Sequence, residues 1–286
     1  MEQEPDHRRK SRLAPFGQGH RGLSRSELKD VEQRLRLRSR LIYEIVRQEG
    51  EEDLVRSFNA LWWSGVAAGL SIGFSAIVEA LLSAHLPDAP WRPLVDNFGY
   101  CVGFLIVVLG RQQLFTESTI TAVLPTAAEP TRDNLLNTAR LWGIVFLANM
   151  VGTFLMAAAL VHMDIFSPAT SAALRDLSLH MMSPSPAGMF FRGIIAGWLV
   201  AAMVWLIPSA EAARLWVVIL ITYLIALGDF THIVAGAVEA NLLVLLGDIT
   251  AGEMVVHFLL PTLAGNIAGG TALFALISYA QVREEL

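Results

Sequence analysis

The stretch that decides the fold is Leu224–Asn241, which reads LIALGDFTHIVAGAVEAN. Apolar runs precede and follow it, and between them lie three ionisable residues, Asp229, His232 and Glu239. Polar groups at membrane depth usually face a cavity or a partner. The backbone can leave the helix there only where protein or cavity water satisfies its polar groups. The stretch therefore predicts a broken transmembrane helix whose break lines a pore.

The composition indicates a membrane protein. The chain has 286 residues, of which 54% are hydrophobic and only 16% are charged. A soluble domain of this length carries more charge, and the apolar runs here recur at about the 20-residue length that a bilayer core requires. The single cysteine, Cys101, excludes an internal disulfide. These features predict an all-α polytopic membrane protein.

The apolar runs divide the chain into six spans, with the second and the fifth broken. Their approximate bounds are Leu61–Leu82, Phe98–Leu124, Leu141–Val161, Met189–Ile207, the stretch around Leu224–Asn241, and Met254–Tyr279. The second run is interrupted by Arg111-Gln112-Gln113 and Glu117, so that neither half spans alone. We expect three parts: an N-terminal arm over residues 1–56, a channel domain over residues 57–282, and a tail over residues 283–286.

The N-terminal arm carries most of the positive charge, since 13 of the 21 lysines and arginines lie in residues 1–56. The positive-inside tendency then places the arm, and with six spans both termini, in the cytoplasm. Residues 1–24 lack any periodicity, and we expect them to be disordered. From Ser26 to about Glu49 the pattern predicts an amphipathic helix, which either packs on its own protein or lies on the membrane surface.

The two halves of the chain repeat three short patterns in the same order. These are Gly65-x-x-Ala68-Gly69 with Gly193-x-x-Ala196-Gly197, Phe115-Thr116 with Phe230-Thr231, and Asn149-x-x-Gly152 with Asn266-x-x-Gly269. Three spans in each half imply two inverted three-helix repeats, an hourglass arrangement like that of aquaporins. Broken helices at corresponding positions of inverted repeats are the best sequence indicator of a permeation site.

Four motifs together resemble the formate/nitrite transporter family. They are Gly103-x6-Gly110-x3-Leu114-Phe115-Thr116, Gly228-x3-His232-x2-Ala235, Arg192-Gly193-Ile194 and Pro261-x3-Gly265-Asn266-Ile267-x-Gly269-Gly270. The resemblance covers about Trp62 to Tyr279. It implies a homopentamer in the inner membrane, with one pore in each subunit for small monovalent anions such as formate or nitrite. It implies no enzyme activity, no cofactor, no metal and no nucleic acid.

The resemblance also implies roles for individual residues. His232 would be the central pore histidine, and the second-span loop would consist of Leu114, Phe115 and Thr116. Apolar constrictions would be formed by Tyr100, Phe104 and Phe115 on one half and by Ile225 on the other. The sequence departs from the family pattern at Thr231, which replaces an acidic residue, and at Gly197 and Gly236, which replace asparagines. We expect the two glycines to add room for a larger or more hydrophobic acid.

Two charged or titratable side chains near the breaks each have two interpretations. Arg111 either attracts anions toward the pore or pairs with a carboxylate such as Glu117 or Asp229. His232 is either a proton partner for a permeating weak acid or a hydrogen-bonding brace for the open backbone. An anion loses its hydration at a heavy free-energy cost, so proton transfer that makes a neutral acid would ease its passage past apolar rings.

Three other classes of protein compete with an anion channel. A membrane scaffold without transport would leave function to the N-terminal helix. An hourglass channel for small neutral solutes has similar architecture, but its paired Asn-Pro-Ala motifs are absent from the sequence. A metalloenzyme would need Asp229, His232 and Glu239 on one unbroken helical face, and Gly228 and Gly236 argue against that.

Overall fold

The computed structural model describes residues 37–283, and their regular structure is helical throughout. The predictions of a disordered segment over residues 1–24 and of a helix start at Ser26 lie outside the described residues. The helices are α1 (Ser39–Val55), α2 (Phe58–His85), α3 (Pro93–Asp96), α4 (Tyr100–Leu109), α5 (Phe115–Thr121), α6 (Val123–Ala128), α7 (Arg132–His162), α8 (Pro168–Met181), α9 (Pro186–Leu206), α10 (Arg214–Leu227), α11 (Ile233–Leu246) and α12 (Ala251–Val282). The all-α prediction is confirmed.

Four apolar stretches are long enough to cross a bilayer by length and composition. They are α2, α7, α12 and the 42-residue stretch Pro186–Leu227, which contains both α9 and α10. A 3₁₀ segment, Ile207–Ala213, with non-helical dihedrals at Ala210 separates those two helices. Two shorter apolar helical stretches, Pro93–Leu109 and Ile233–Leu246, fall below the roughly 20 residues that a span requires. The protein is therefore a multi-pass membrane protein.

Hydroxyl side chains cap the N-termini of five of the helices. Each accepts a hydrogen bond from the backbone amide three residues later, which satisfies one of the free N–H groups of the first turn. The pairs are Ser57 with Ala60, Thr131 with Asn134, Ser167 with Thr170, Ser185 with Gly188, and Thr250 with Glu253, at 3.1–3.3 Å.

Glycines bring two pairs of long helices into close contact. Helix α2 packs on α7, and α9 packs on α12. A Cβ atom built on Gly69 would lie 2.9 Å from the Cα of Gly152, and one built on Gly197 would lie 2.8 Å from the Cα of Asn266. No side chain fits at that separation, so these glycines permit backbone-to-backbone packing, as small residues do between membrane helices.

Helix α1 packs on the protein itself, which was one of the two interpretations of the N-terminal amphipathic helix. Tyr43, Val46 and Leu54 are buried, and α1 contacts α5 and α6. At Gly50 the α1 backbone comes so close to the carbonyl of Thr121 that a Cβ would clash. The helix also continues beyond the predicted end at Glu49 to Val55. Gly50 therefore lies within the helix, where the lack of a side chain permits this close contact.

Candidate functional site

Two helix interruptions occupy corresponding positions in the two halves of the chain, and both contain a residue with unusual backbone dihedral angles. One lies between α4 and α5, over residues 110–114, and the other lies between α10 and α11, over residues 228–232. In each, a glycine is followed by a non-glycine residue with positive φ: Arg111 after Gly110 and Asp229 after Gly228, both at φ 50°. Left-handed dihedrals are uncommon for residues with a Cβ and often occur at functional sites.

A buried asparagine holds the first interruption in place. Asn149 of α7 accepts a hydrogen bond through Oδ1 from the Phe115 amide at 2.9 Å. Its Nδ2 donates to the Gln113 carbonyl at 2.9 Å and to the Gly65 carbonyl of α2 at 2.8 Å. One side chain therefore satisfies three backbone groups that the break would otherwise leave unpaired.

A second asparagine does the same at the second interruption. Asn266 of α12 accepts from the Ile233 amide at 2.9 Å and donates to the carbonyls of Thr231 and Gly193, both at 2.9 Å. These hydrogen bonds make Ile233 the counterpart of Phe115, 118 residues apart. The sequence pattern had paired Phe115 with Phe230, three residues away, because it compared side-chain letters instead of backbone roles.

His232 and Thr116 join the two interruptions. Nε2 of His232 lies 2.7 Å from Oγ1 of Thr116. Nδ1 of the same ring accepts a hydrogen bond from the Ala235 amide at 3.2 Å, so His232 is the N-cap of α11. Since Nδ1 is an acceptor, the proton of the neutral ring is on Nε2 and is donated to Thr116. The Phe104 ring packs against the His232 ring in an edge-to-face arrangement, with ring centroids 5.0 Å apart.

A cavity of about 80 Å³ lies against His232. Its lining includes five of the residues that sequence analysis selected: Tyr100, Ile225, Thr231, His232 and Gly236. The Thr231 hydroxyl does not point to a ligand, because it donates to the Met189 carbonyl at 2.8 Å. Thr231 therefore lines the cavity, but its hydroxyl proton is already used within the protein.

The loop residues of the first interruption have different surroundings. Leu114 and Phe104 are fully buried. Phe115 packs against Trp142 and Phe146, with ring centroids 5.8 and 5.2 Å away. Thr116 alone in the Leu-Phe-Thr loop reaches the histidine.

Of the two glycines that were expected to enlarge the pore, Gly236 lines the cavity and Gly197 does not. Gly197 lies in the contact between α9 and α12, where the backbone of Asn266 fills the space. Gly236 does line the cavity, but a Cβ there would lie 2.8 Å from the Phe258 ring, and Sδ of Met181 is 3.4 Å away. The space beside Gly197 is thus filled by backbone, and the space beside Gly236 by the side chains of Phe258 and Met181.

The rim of this cavity carries an ion-pair cluster. Asp229 lies 3.1 Å from Nε2 of His180 and 3.9 Å from Nη1 of Arg192. Arg111 pairs with neither of its proposed partners: it is exposed, and within residues 37–283 the buried Oε1 of Glu117 makes no hydrogen bond. The pairing interpretation of Arg111 is wrong for both carboxylates: Asp229 lies at the other interruption, and the buried Oε1 of the nearer Glu117 accepts no hydrogen bond from a described residue.

A second cavity, of about 340 Å³, lies at the first interruption and includes Arg111 in its lining. Helix α1 contributes Glu49, Glu52, Asp53 and, just beyond its end, Arg56. Asp53 accepts a hydrogen bond from Nε2 of Gln113 at 2.6 Å. Burial raises the pKa of Asp53, and the hydrogen bond from Gln113 offsets this only in part.

Sequence analysis did not identify two carboxyl groups, those of Glu79 and Glu239, as part of the lining of the cavity beside His232. Sequence analysis assigned no role to Glu79, and it considered Glu239 only as a possible metal ligand. Both line the cavity together with His232. Their separation of 160 positions in the sequence gave no signal that they would share one wall.

Comparison with known proteins agrees with this architecture. The family model described as "Formate/nitrite transporter" matches residues 40–280. The chain is 48% identical over 255 residues to the inner membrane protein YfdC of Escherichia coli K12, covering 89% of this chain and 82% of that protein. It is 25% identical over 237 residues to the formate channel FocA of Haemophilus influenzae, covering 72% of this chain and 81% of that protein.

Two solved structures share the fold. One is a pentameric formate channel with formate bound, with a TM-score of 0.66, 17% identity, and coverage of 83% of this chain and 99% of that chain. The other is an ion channel of the same family, with a TM-score of 0.72, 20% identity, and coverage of 84% and 98%. The family consists of channels and transporters, not enzymes. From the match over residues 40–280, the chain belongs to the formate/nitrite transporter family.

Proposed function

We propose that the protein is a channel or transporter for small monovalent anions or their weak acids, similar to formate or nitrite. The observation that carries this proposal is the His232–Thr116 hydrogen bond, which joins the two helix interruptions at the end of a cavity. A cavity of about 80 Å³ has room for only a few water-sized groups. The relatives named as formate channels support the same class of permeant.

In this proposal the chain crosses the inner membrane six times as two inverted three-helix halves. Helices α4 and α5 form one broken span and α10 and α11 the other. The matching asparagine hydrogen bonds at the two interruptions support this symmetry. The name of the relative from Escherichia coli supports the inner membrane, and the basic N-terminal arm supports cytoplasmic termini.

The pore of this proposal runs past a short set of side chains. Tyr100, Phe104 and Ile225 form an apolar constriction on the cavity side of His232, whereas Leu114 and Phe115 shape the other interruption. The Tyr100 and Phe104 rings are in contact, with centroids 5.2 Å apart. In this arrangement apolar constrictions lie on both sides of the polar His232–Thr116 contact. Such constrictions would slow ions that keep their charge and hydration.

The subunits would form a pentamer with one pore in each copy. The formate channel that shares the fold is pentameric, and large apolar side chains such as Trp63, Phe191 and Trp216 are exposed in the single chain. Lipid and neighbouring subunits would cover them. Native mass spectrometry in mild detergent should show five copies, and a stable monomer would refute this assembly.

Transport by purified protein in liposomes tests the proposed function. We expect uptake of small weak acids such as formate and nitrite above the rate of protein-free liposomes, with glycerol as a neutral comparison solute. Uptake of glycerol without weak acids would favour an hourglass channel for neutral solutes. No uptake of either, by protein of normal oligomer size, would favour a membrane scaffold.

The role of His232 is tested by replacement with asparagine. Asparagine can still cap α11, because its side-chain oxygen accepts from the Ala235 amide, but it does not titrate. If His232 is a proton partner, His232→Asn changes the pH profile of weak-acid uptake, measured over about two units either side of the reference pKa near 6.5. We predict this change, with normal oligomer size. Superimposable profiles would leave His232 with the capping role alone.

A further inference from the structure

The second cavity is larger than the cavity beside His232, and among the described residues the two share no lining residue. Its volume of about 340 Å³ lies within the range of about 300–1,000 Å³ that is usual for small-molecule sites. Three parts of the chain enclose it: Glu49 belongs to α1, Arg111 and Gln112 belong to the first interruption, and Arg214 begins α10. A ligand here would therefore contact segments that are far apart in the sequence.

Charged side chains of both signs line this cavity, and most of them are unpaired. Asp53 and Arg56 form an ion pair at 3.4 Å. Five other charged residues of the lining take part in no ion pair and no side-chain hydrogen bond with the part of the chain that the structure describes: Arg111, Arg214, Glu49, Glu52 and Glu117. The lining therefore offers free positive and free negative groups to the same space.

The unpaired groups of opposite sign are neighbours. Partial burial raises the pKa of Glu49, and the positive charges of Arg111 and Arg214 oppose that rise. Where geometry permits, arginine and carboxylate groups meet in direct, often bidentate, hydrogen bonds. Here they lie around a cavity without meeting, so a molecule between them can contact both.

Buried polar atoms without a partner lie beside the same cavity. Within residues 37–283 four buried side-chain atoms make no hydrogen bond, and three of them belong to this lining: Oε1 of Gln112, Oε1 of Glu117 and Nε of Arg214. Buried polar groups are nearly always paired with protein, water or a bound molecule, and each exception requires an explanation. Two of these atoms need a donor and one needs an acceptor, so a matching ligand must both donate and accept hydrogen bonds.

We propose that the second cavity binds a small zwitterion, an α-amino acid with an aliphatic side chain. The ammonium group of the ligand would donate to the carboxyl groups of Glu49 and Glu117. Its carboxylate would accept hydrogen bonds from the guanidinium groups of Arg111 and Arg214. Hydrogen bonds between ionised groups are the strong ones, and both ends of the ligand make them in this arrangement.

The other lining residues favour an aliphatic side chain on the ligand. Val108 of α4, Val204 of α9 and Ile207 of the connector between α9 and α10 are apolar and branched. A simple anion would leave the glutamates without a partner, and a simple amine would leave the arginines without one. This inference goes beyond the proposed function and does not depend on which anion crosses the membrane.

The test measures binding of L-leucine to the purified full-length protein in detergent. Isothermal titration calorimetry gives the dissociation constant, and the melting temperature should rise with leucine concentration because the ligand binds the folded state. Two matched ligands keep the carbon skeleton but lack one charge: 4-methylpentanoate has no ammonium group, and 3-methylbutylamine has no carboxylate. We expect saturable binding of leucine and at least tenfold weaker binding of each single-charge ligand.

Charge-neutralising variants assign each end of the ligand. Arg214→Gln should weaken the binding of leucine and 4-methylpentanoate at least tenfold and leave that of 3-methylbutylamine unchanged. Glu117→Gln should weaken the binding of leucine and 3-methylbutylamine and leave that of 4-methylpentanoate unchanged. Arg132→Gln and Glu211→Gln are the matched controls, since both residues are exposed and outside this lining, and both should bind leucine as wild type does.

Three results would overturn the proposal, with oligomer size checked for every variant. Equal binding of leucine and 4-methylpentanoate would make the cavity a site for anions and not for zwitterions. An equal loss of all three ligands in Arg214→Gln would show that the arginine does not contact the ligand carboxylate. Absence of saturable leucine binding by wild type of normal oligomer size would remove the site. None of these measurements involves transport, so the proposed function stands or falls separately on uptake into liposomes.

Discussion

Replacement of Asn266 by alanine should destabilise the protein strongly, because one side chain satisfies three backbone groups. The change removes the acceptor of the Ile233 amide and the donors to the carbonyls of Thr231 and Gly193. Asn266 is fully buried, so water does not readily replace it. An orphaned buried polar group costs about 1–3 kcal/mol, so even the lower end for three groups amounts to about 3 kcal/mol.

The assay is thermal unfolding of the purified oligomer in detergent, alongside transport. A loss of about 3 kcal/mol corresponds to a decrease in melting temperature of about 6–12 °C for a domain of this size class. Asn149→Ala should have a similar effect, because Asn149 holds the other interruption in the same way. Asn241→Ala is the matched control, since Asn241 makes one hydrogen bond, to Thr153 at 3.3 Å, and should shift the melting temperature much less.

The transport readout separates stability from geometry. Loss of the asparagine frees the interruption beside His232, so surviving Asn266→Ala oligomers should transport more slowly than wild type at a temperature where both are folded. If Asn266→Ala melts within the shift produced by Asn241→Ala, the three hydrogen bonds do not hold the interruption. The explanation of the broken backbone given above would then be refuted.

Three further outcomes follow from helix contacts and surface charge. Gly197→Ala should abolish the folded oligomer because its Cβ meets the α12 backbone, whereas Gly143→Ala, with open space around it, should leave expression and oligomer size unchanged. Asp248 has its pKa lowered by the hydrogen bond from Arg175, so this pair stabilises above the ordinary carboxyl pKa of about 3.9 and ceases to do so as pH falls through the lowered value. The melting temperature of Arg175→Met should therefore fall below that of wild type near neutral pH, and the two should converge in acid. Deletion of residues 1–24 should preserve the oligomer, whereas a deletion that extends through α1 should lower its stability; equal melting temperatures for the two truncations would contradict the packing of α1.

The pattern of apolar residues was sufficient to predict the helical membrane class and the presence of several long apolar helices. Length and composition carry this information because a bilayer imposes a fixed thickness and requires internal backbone hydrogen bonds. The motif around His232 was likewise readable, since glycine, histidine and small residues interrupt an apolar run there. Thr116, one of the three loop residues that the resemblance implies for the second span, forms a hydrogen bond with His232 in the structure.

The tertiary structure decided which groups share a wall or a contact. Gly197 and Gly236 look alike in the sequence, yet one meets a helix backbone and the other meets the Phe258 ring. Glu79 stands near the end of an apolar run, and only the packing of α2 against α11 brings it to the cavity of Glu239. Periodicity along one helix defines its faces, but what each face meets depends on the crossing angle and separation of helices far apart in the chain, and side-chain packing between them sets both quantities.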